Sequence, residues 1–313
     1  MTGDPKLVLL SGPTGVGKSA AAIRLAERFD GEIINGDSLQ IYRYLDIGTA
    51  KPTVAERSLF AHHLFDILEP DEPFNALEFQ ARADRVIAEV VSRESVPLVV
   101  GGTGLYLRAL LFGLCEMPAI DPGLREMLER RLGEEGAPAL HAELAHRDPE
   151  MAAKLAPRDR TRILRALETV LATGKSISWF QQRHRFQRPR YSFLHLYLEM
   201  DRDELYRRIN LRVERMIEQG LVDEVREILA RGFSPELKPL RSIGYRQIIV
   251  YLEGRCSLDE AVHDIKQATR RYAKRQLTWF RHDRDAVGVV ATDVEGLTKL
   301  IEDFMARGKG PHV

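Results

Sequence analysis

Cysteine is nearly missing from this sequence. Cys115 and Cys256 are the only two in 313 residues, far apart and outside any CxxC or His-bearing spacing. That excludes a disulfide framework and a cysteine-based zinc site. Long apolar runs are missing too: no stretch approaches the roughly 18 residues that read as a membrane helix. The start, "MTGDPKLVLLSG", has no basic segment ahead of its short apolar run. Neither a secretion signal nor a membrane span is therefore expected, and a cytoplasmic protein fits best. Low-complexity segments and internal repeats are likewise absent. Hydrophobic content of 44% and charged content of 29% are those of an ordered globular chain.

Net charge is also lacking, at +0, but this total hides a segregation. From Lys154 to Arg190 ten Lys or Arg face only Asp159 and Glu168. The stretch "KQATRRYAKRQLTWFRHDR" holds Lys266, Arg270, Arg271, Lys274, Arg275, Arg281 and Arg284 against Asp283. Aromatics are interleaved in both: Trp179, Phe180, Phe186 and Tyr191 in the first, Tyr272, Trp279 and Phe280 in the second. Cations for phosphates and flat rings for unstacked bases are what an RNA surface requires. The alternative for each stretch is a solvated basic helix face with its aromatics in the core.

What is present most clearly is "GPTGVGKS", residues 12–19, directly after the apolar run Leu7–Leu10. A strand ending in this pattern and opening a helix is a P-loop. Gly12, Gly15 and Gly17 let backbone N–H groups approach phosphate oxygens, and Pro13, Thr14 and Val16 complete the loop. The helix "KSAAAIRLAERF" points its positive end at the same place. Lys18 would meet the outer phosphate and Ser19 a magnesium ion. The cradle reads only the phosphate chain, so whether ATP or another diphosphate sits there stays open.

Periodicity predicts strands at "LVLLS", "EIING", "PLVVGG", "FLHLYLEM" and "VGVVAT", mostly separated by helices. The expected fold is α/β, with a P-loop-type parallel sheet. Between Cys115 and Tyr191 only helical patterns appear, beginning at Asp121-Pro122. The expected division is a core of residues 1–114 and 192–313 with an all-helical insertion at 115–191. A helix is predicted from Asp201 to about Gly220, and another behind the capping box Ser257 to Glu260.

An ATPase of this kind holds its magnesium with an acid at the end of a second apolar strand. Here "PLVVGGTGLY" ends in glycines and Thr103 instead, which weakens the motor and switch readings. An acid, Asp37, follows "EIING". Ligands gather at the carboxyl ends of parallel strands, so Lys18, Asp37 and Thr103 can converge there. Locally, Asp37 also suits a turn or a helix cap.

Taken in order, "GPTGVGKS", "EIINGDSLQIYRYLDIGTAKP", "GGTGLYL", "DRTRILRALE", "SIGYRQ" and "KRQLTWFR" resemble the tRNA dimethylallyltransferase family, from about Leu7 to Asp283. With no zinc finger in "MARGKGPHV" or before it, the sequence resembles the bacterial form, and none is expected. The resemblance implies transfer of a dimethylallyl group from its diphosphate, with magnesium, to N6 of the adenosine immediately 3′ of the anticodon. It implies a helical subdomain that grips the anticodon stem-loop. It makes Asp37 the general base, places Thr103 near the reaction centre and adds Arg212 to the diphosphate clamp. Asp37, Ser38, Leu39 and Gln40 would meet the target base and its neighbours. Thr161, Arg162, Ile163, Leu164 and Arg165, with Lys274 and Arg275, would contact tRNA. "DRTRILRALE" departs from the family's more usual "DPQRIQRALE", which touches Thr161. A monomer is expected. A P-loop kinase of a small metabolite, a nucleic-acid-binding regulator and an isopentenyltransferase of free AMP remain alternatives.

Overall fold

A computed structural model describes residues 5–115, 121–184 and 188–306. The chain divides into two compact units, one of residues Met1–Leu111 and Arg190–Val313, the other of Phe112–Pro189. In the first, β1 (Lys6–Ser11), α1 (Lys18–Phe29), β2 (Gly31–Asn35), α2 (Val54–Leu59), β3 (His62–His63), α3 (Ala76–Ser92), β4 (Val96–Val100) and α4 (Gly104–Phe112) follow in order. The second unit contributes α5 (Pro122–Glu135), α6 (Ala137–Arg147), α7 (Pro149–Lys154), α8 (Arg160–Thr173) and α9 (Ile177–His184). The first unit then resumes with β5 (Ser192–Glu199), α10 (Arg202–Glu218), α11 (Leu221–Ala230), α12 (Tyr245–Leu252), α13 (Leu258–Arg281), β6 (Ala286–Val290) and α14 (Val294–Ala306).

The sheet is parallel throughout, in the order β3-β2-β4-β1-β5-β6. Its central strands are apolar on both faces, as a sheet covered by helices requires: Leu7, Val8, Leu9 and Leu10 of β1 are all buried. The five strands expected from apolar runs are present. The sixth, β3, is two residues long and pairs His62 with Ile33 and His63 with Ile34. Because β4 lies between β1 and β2, the turn after β4 sits between the P-loop and the Asp37 turn.

The helical unit has its own core, in which Leu128, Leu132, Leu140, Leu144, Ile163 and Leu167 pack together. Asp121 caps α5 by accepting from the Gly123 N–H, with Pro122 at the first helical position. Asp159 does the same for α8 through the Arg162 N–H. No helix among the described residues is long and apolar enough to cross a membrane.

Candidate active site

The P-loop is built on the end of β1. Gly12, Gly15 and Gly17 have φ of 139°, 85° and 105°, the left-handed side that glycine allows. Val16 is buried in the sheet core beside Leu205 and Ile209 of α10. A Cβ on Gly15 would lie 3.0 Å from Ile209, so α10 is seated against the loop. One turn beyond Ile209, the same helix presents Arg212, whose Nη1 donates to Thr14 Oγ1 at 3.4 Å and Nη2 to the Thr49 carbonyl at 3.4 Å. Lys18 Nζ donates to the carbonyls of Gly12 and Pro13, both at 2.9 Å. Below the loop, Ser11 Oγ and His195 Nε2 share a hydrogen bond of 2.8 Å. Burial pushes His195 down to about 4, so it stands neutral there.

Asp37 follows β2. Asn35 organises this turn, accepting from the Asp37 N–H at 2.8 Å and donating to the Leu64 carbonyl at 2.9 Å. Asp37 Oδ1 accepts from the Leu39 N–H at 2.9 Å, so the local turn role is real, but no helix follows for it to cap. Oδ2 has no hydrogen-bond partner among the described residues. The Ser38 N–H donates to Thr103 Oγ1 at 3.0 Å, which ties the Asp37 turn to the turn after β4. That turn is glycine by necessity: a Cβ on Gly101 would fall 2.2 Å from the Gly36 backbone. Gln40 Nε2 donates to the carbonyls of Thr49 and Ala50, leaving its oxygen for a further donor.

Electrostatics tie these groups together. Burial pushes Lys18 down to about 8; the Asp37 carboxylate opposes the shift and the Arg212 guanidinium reinforces it. Burial likewise lowers Arg212, again against Asp37. The phenols of Tyr106 and Tyr272 are raised by burial and, in part, by the same carboxylate. Lys18, Arg212 and Asp37 therefore share one partly desolvated region at the carboxyl ends of β1, β2 and β4. Beside it, a cleft of about 850 Å³ is lined by Ser19, Arg208, Arg212 and Arg215, with Asp46 and Glu56 as acids among its cations.

A further member, Gln276 of α13, escapes sequence reasoning because it sits among cations in the basic stretch. It is buried, accepts from the Thr14 N–H at 2.9 Å and donates to the Gly102 carbonyl at 2.9 Å. A buried amide must find such partners, and here it staples the P-loop to the turn after β4. The signal available was spacing: Ala273, Gln276 and Phe280 form one buried stripe.

The basic stretches need correction residue by residue. Ile163 and Leu164 lie in the core of the helical unit, so they hold α8 in place and offer no surface to RNA. On the same helix Thr161, Arg162 and Arg165 are exposed. Phe280 is buried against the sheet, whereas Trp279 is exposed. Arg190 grips Asp84 with two nitrogens and Tyr191 donates to the same carboxylate, so both are occupied within the core unit. Lys266 pairs with Glu214 and Arg281 with Glu199. Lys274 and Arg275 are exposed, with Arg275 over the Tyr272 ring. In the helical unit, Lys175 and Arg183 flank the Trp179 ring. Arg185, Phe186 and residues 307–313 lie outside the described residues.

Comparison with known proteins gives this arrangement a family. The model for "IPP transferase" matches residues 40–283, and that for "Isopentenyl transferase" matches residues 5–62. The tRNA dimethylallyltransferase of Syntrophobacter fumaroxidans is 52% identical over 302 residues, 95% of this chain and 87% of the relative. Among solved structures, the full-length tRNA isopentenylpyrophosphate transferase of Bacillus halodurans is 40% identical with a TM-score of 0.70, covering 96% of this chain and 94% of that one. A eukaryotic dimethylallyltransferase described as acting on tRNA is 27% identical with a TM-score of 0.81, covering 98% and 82%. By both sequence and architecture, the chain belongs to the tRNA dimethylallyltransferase family of prenyltransferase enzymes.

Proposed function

We propose that this chain moves a dimethylallyl group from dimethylallyl diphosphate to N6 of the adenosine immediately 3′ of the anticodon in tRNA, releasing pyrophosphate. The observation that carries the reading is the P-loop on β1, with Arg212 of α10 at its Thr14 and the Asp37 turn tied beside it to Thr103. Two cations beside a phosphate-shaped loop would hold a diphosphate, and the carboxylate across from them would take a proton.

Adenine N6 is a weak nucleophile, because its lone pair is delocalised into the ring. In the proposed step that pair attacks the allylic C1 while the C1–O bond to the diphosphate breaks and its electrons leave with pyrophosphate. The proton lost by N6 goes to the unused Oδ2 of Asp37. Charge grows on the departing oxygens, where Lys18, Arg212 and the loop N–H groups would stabilise it. Thr103 keeps the Asp37 turn in place through Ser38. Gln40 would offer its amide to the adenine or a neighbouring base.

Among the described residues there is no cluster of three or more His, Cys, Asp or Glu able to hold a metal. The fit for magnesium therefore rests on the exposed Ser19 hydroxyl at the first turn of α1, together with oxygens of the diphosphate itself. That all-oxygen set suits the ion. When bound, it would neutralise part of the leaving group's charge.

A base within a loop cannot reach this depth unless it is turned out of the stack. Arg162, Arg165, Lys274 and Arg275 would bind phosphates and position the RNA without reading it. The protein would work as a monomer in the cytoplasm. Incubation with dimethylallyl diphosphate, magnesium and unmodified tRNA tests the reading: one dimethylallyl mass should appear on a single adenosine. Modification of free AMP but not tRNA would overturn it.

A further inference from the structure

Two stretches of the sequence, "LDIGTAKP" and "SIGYRQ", have no part in the chemistry above, yet the structure brings them together on one carboxylate. Glu224 lies in the first turn of α11. Its Oε2 accepts from the backbone N–H groups of Asp46 at 3.0 Å and Ile47 at 2.6 Å. Its Oε1 accepts from the Gly48 N–H at 3.1 Å and from the Tyr245 hydroxyl at 2.6 Å. Three successive amides thus converge on one side chain, an anion-binding nest filled from within the protein. Tyr245 is fully buried, and its ring presses so closely on the strap that a Cβ on Gly48 would lie 2.5 Å from it. Burial and the carboxylate push the Tyr245 hydroxyl far up, so it stays a donor.

The strap held this way runs straight into the site. Just past the nest, the Thr49 carbonyl accepts from both Gln40 Nε2 and Arg212 Nη2, and the Ala50 carbonyl accepts from Gln40 as well. Ala50 has φ of 46°, a left-handed conformation a non-glycine residue keeps only where its surroundings hold it. On the other side Lys51 Nζ anchors the strap through Asp46, Asp66 and the Tyr42 carbonyl. Lys51 is thus an anchor and Glu224 a register pin.

We propose that Glu224, supported by Tyr245, is a positioning residue that sets the 46–50 strap and, through its carbonyls, aims Arg212 and Gln40. This rests on the reading that Arg212 meets the diphosphate. Neither Glu224 nor Tyr245 touches substrate.

The test is calorimetric binding of inorganic pyrophosphate, with a thermal melt of each variant. Glu224→Gln keeps the shape but removes the charge that faces three amides, and should weaken binding about tenfold. Tyr245→Phe keeps the ring on Gly48 and removes one hydrogen bond, and should weaken it about two- to fivefold. If the effect travels through Arg212, then Glu224→Gln added to Arg212→Ala should cost less than about twofold more. A contact that matters only for folding would lower the melt and multiply through in both backgrounds, and that result overturns the proposal. So does unchanged affinity in folded Glu224→Gln; should that variant fail to fold, unchanged affinity in Tyr245→Phe decides the same way. If Arg212→Ala weakens binding and neither strap variant does, only the positioning role falls. If Arg212→Ala itself has no effect, the diphosphate placement falls and the positioning role with it.

Discussion

The cations at the P-loop and the cations on α8 and α13 meet water differently. Lys18 and Arg212 are half-buried, each is shifted by its burial, and both respond to Asp37. Arg162 keeps 70% of its side chain exposed beside Asp159, and Lys274 and Arg275 stand out from the helix opposite the stripe that Ala273, Gln276 and Phe280 bury. Desolvated charge is costly to assemble and acts strongly at short range, which suits developing charge on a leaving group. Exposed charge is screened and weak singly, and only its number makes it useful to a polyanion. The two proposed tasks, holding a small diphosphate and gathering an RNA, would thus use the same residue types at two levels of burial.

The sharpest break in that contrast is expected at Asp37. Asp37→Ala should lower turnover by about two to four orders of magnitude while tRNA affinity in a filter-binding assay barely moves. Wild-type turnover in that variant would reduce Asp37 to the turn it makes with Leu39.

A smaller effect is expected from Lys18, whose protonated form would be the one to meet phosphate in the proposed reaction. Because its pKa is depressed to about 8, kcat/KM for the diphosphate should be full below that value and fall as pH rises through it. Arg212 contributes to the depression, so Arg212→Ala should move the inflection upward even as it lowers the plateau. A profile flat across pH 7 to 10 (about 2 units above the inflection) would detach Lys18 from the diphosphate.

The smallest single effects belong to the surface. Alanine at Arg162, Arg165, Lys274 or Arg275 should each weaken tRNA binding modestly and reduce the slope of log affinity against log salt by roughly 0.7–0.9. Gln40→Ala should leave that slope alone and relax discrimination among loop sequences instead. Four basic variants with unchanged slopes would return both stretches to ordinary protein surface.

Much of this contrast is legible in the sequence, but unevenly. Strands such as Leu7–Leu10 announce themselves because a sheet covered on both faces must be apolar throughout. The two-residue β3 does not, since His62 and His63 are strand only by pairing with Ile33 and Ile34. The P-loop is local and can be read residue by residue. Arg212 and Thr14 lie 198 positions apart, and Gln276 and Thr14 lie 262 apart, so their meeting is a property of packing. The family resemblance, carried over as a block at "DRTRILRALE", took in too much: one helix turn buries Ile163 and Leu164 while exposing Arg162 and Arg165. Periodicity separates the two faces; composition does not.

In the proposed reaction the loop holds a leaving diphosphate while Asp37 accepts the proton from N6. A single-turnover experiment with the protein in excess over unmodified tRNA, following pyrophosphate and dimethylallyl-adenosine together, tests it most directly. Both products should appear at one rate and in equal amounts, and Asp37→Ala should slow both alike with the diphosphate still bound. Orthophosphate release from ATP without RNA, or pyrophosphate formed while the adenosine stays unmodified, would contradict it.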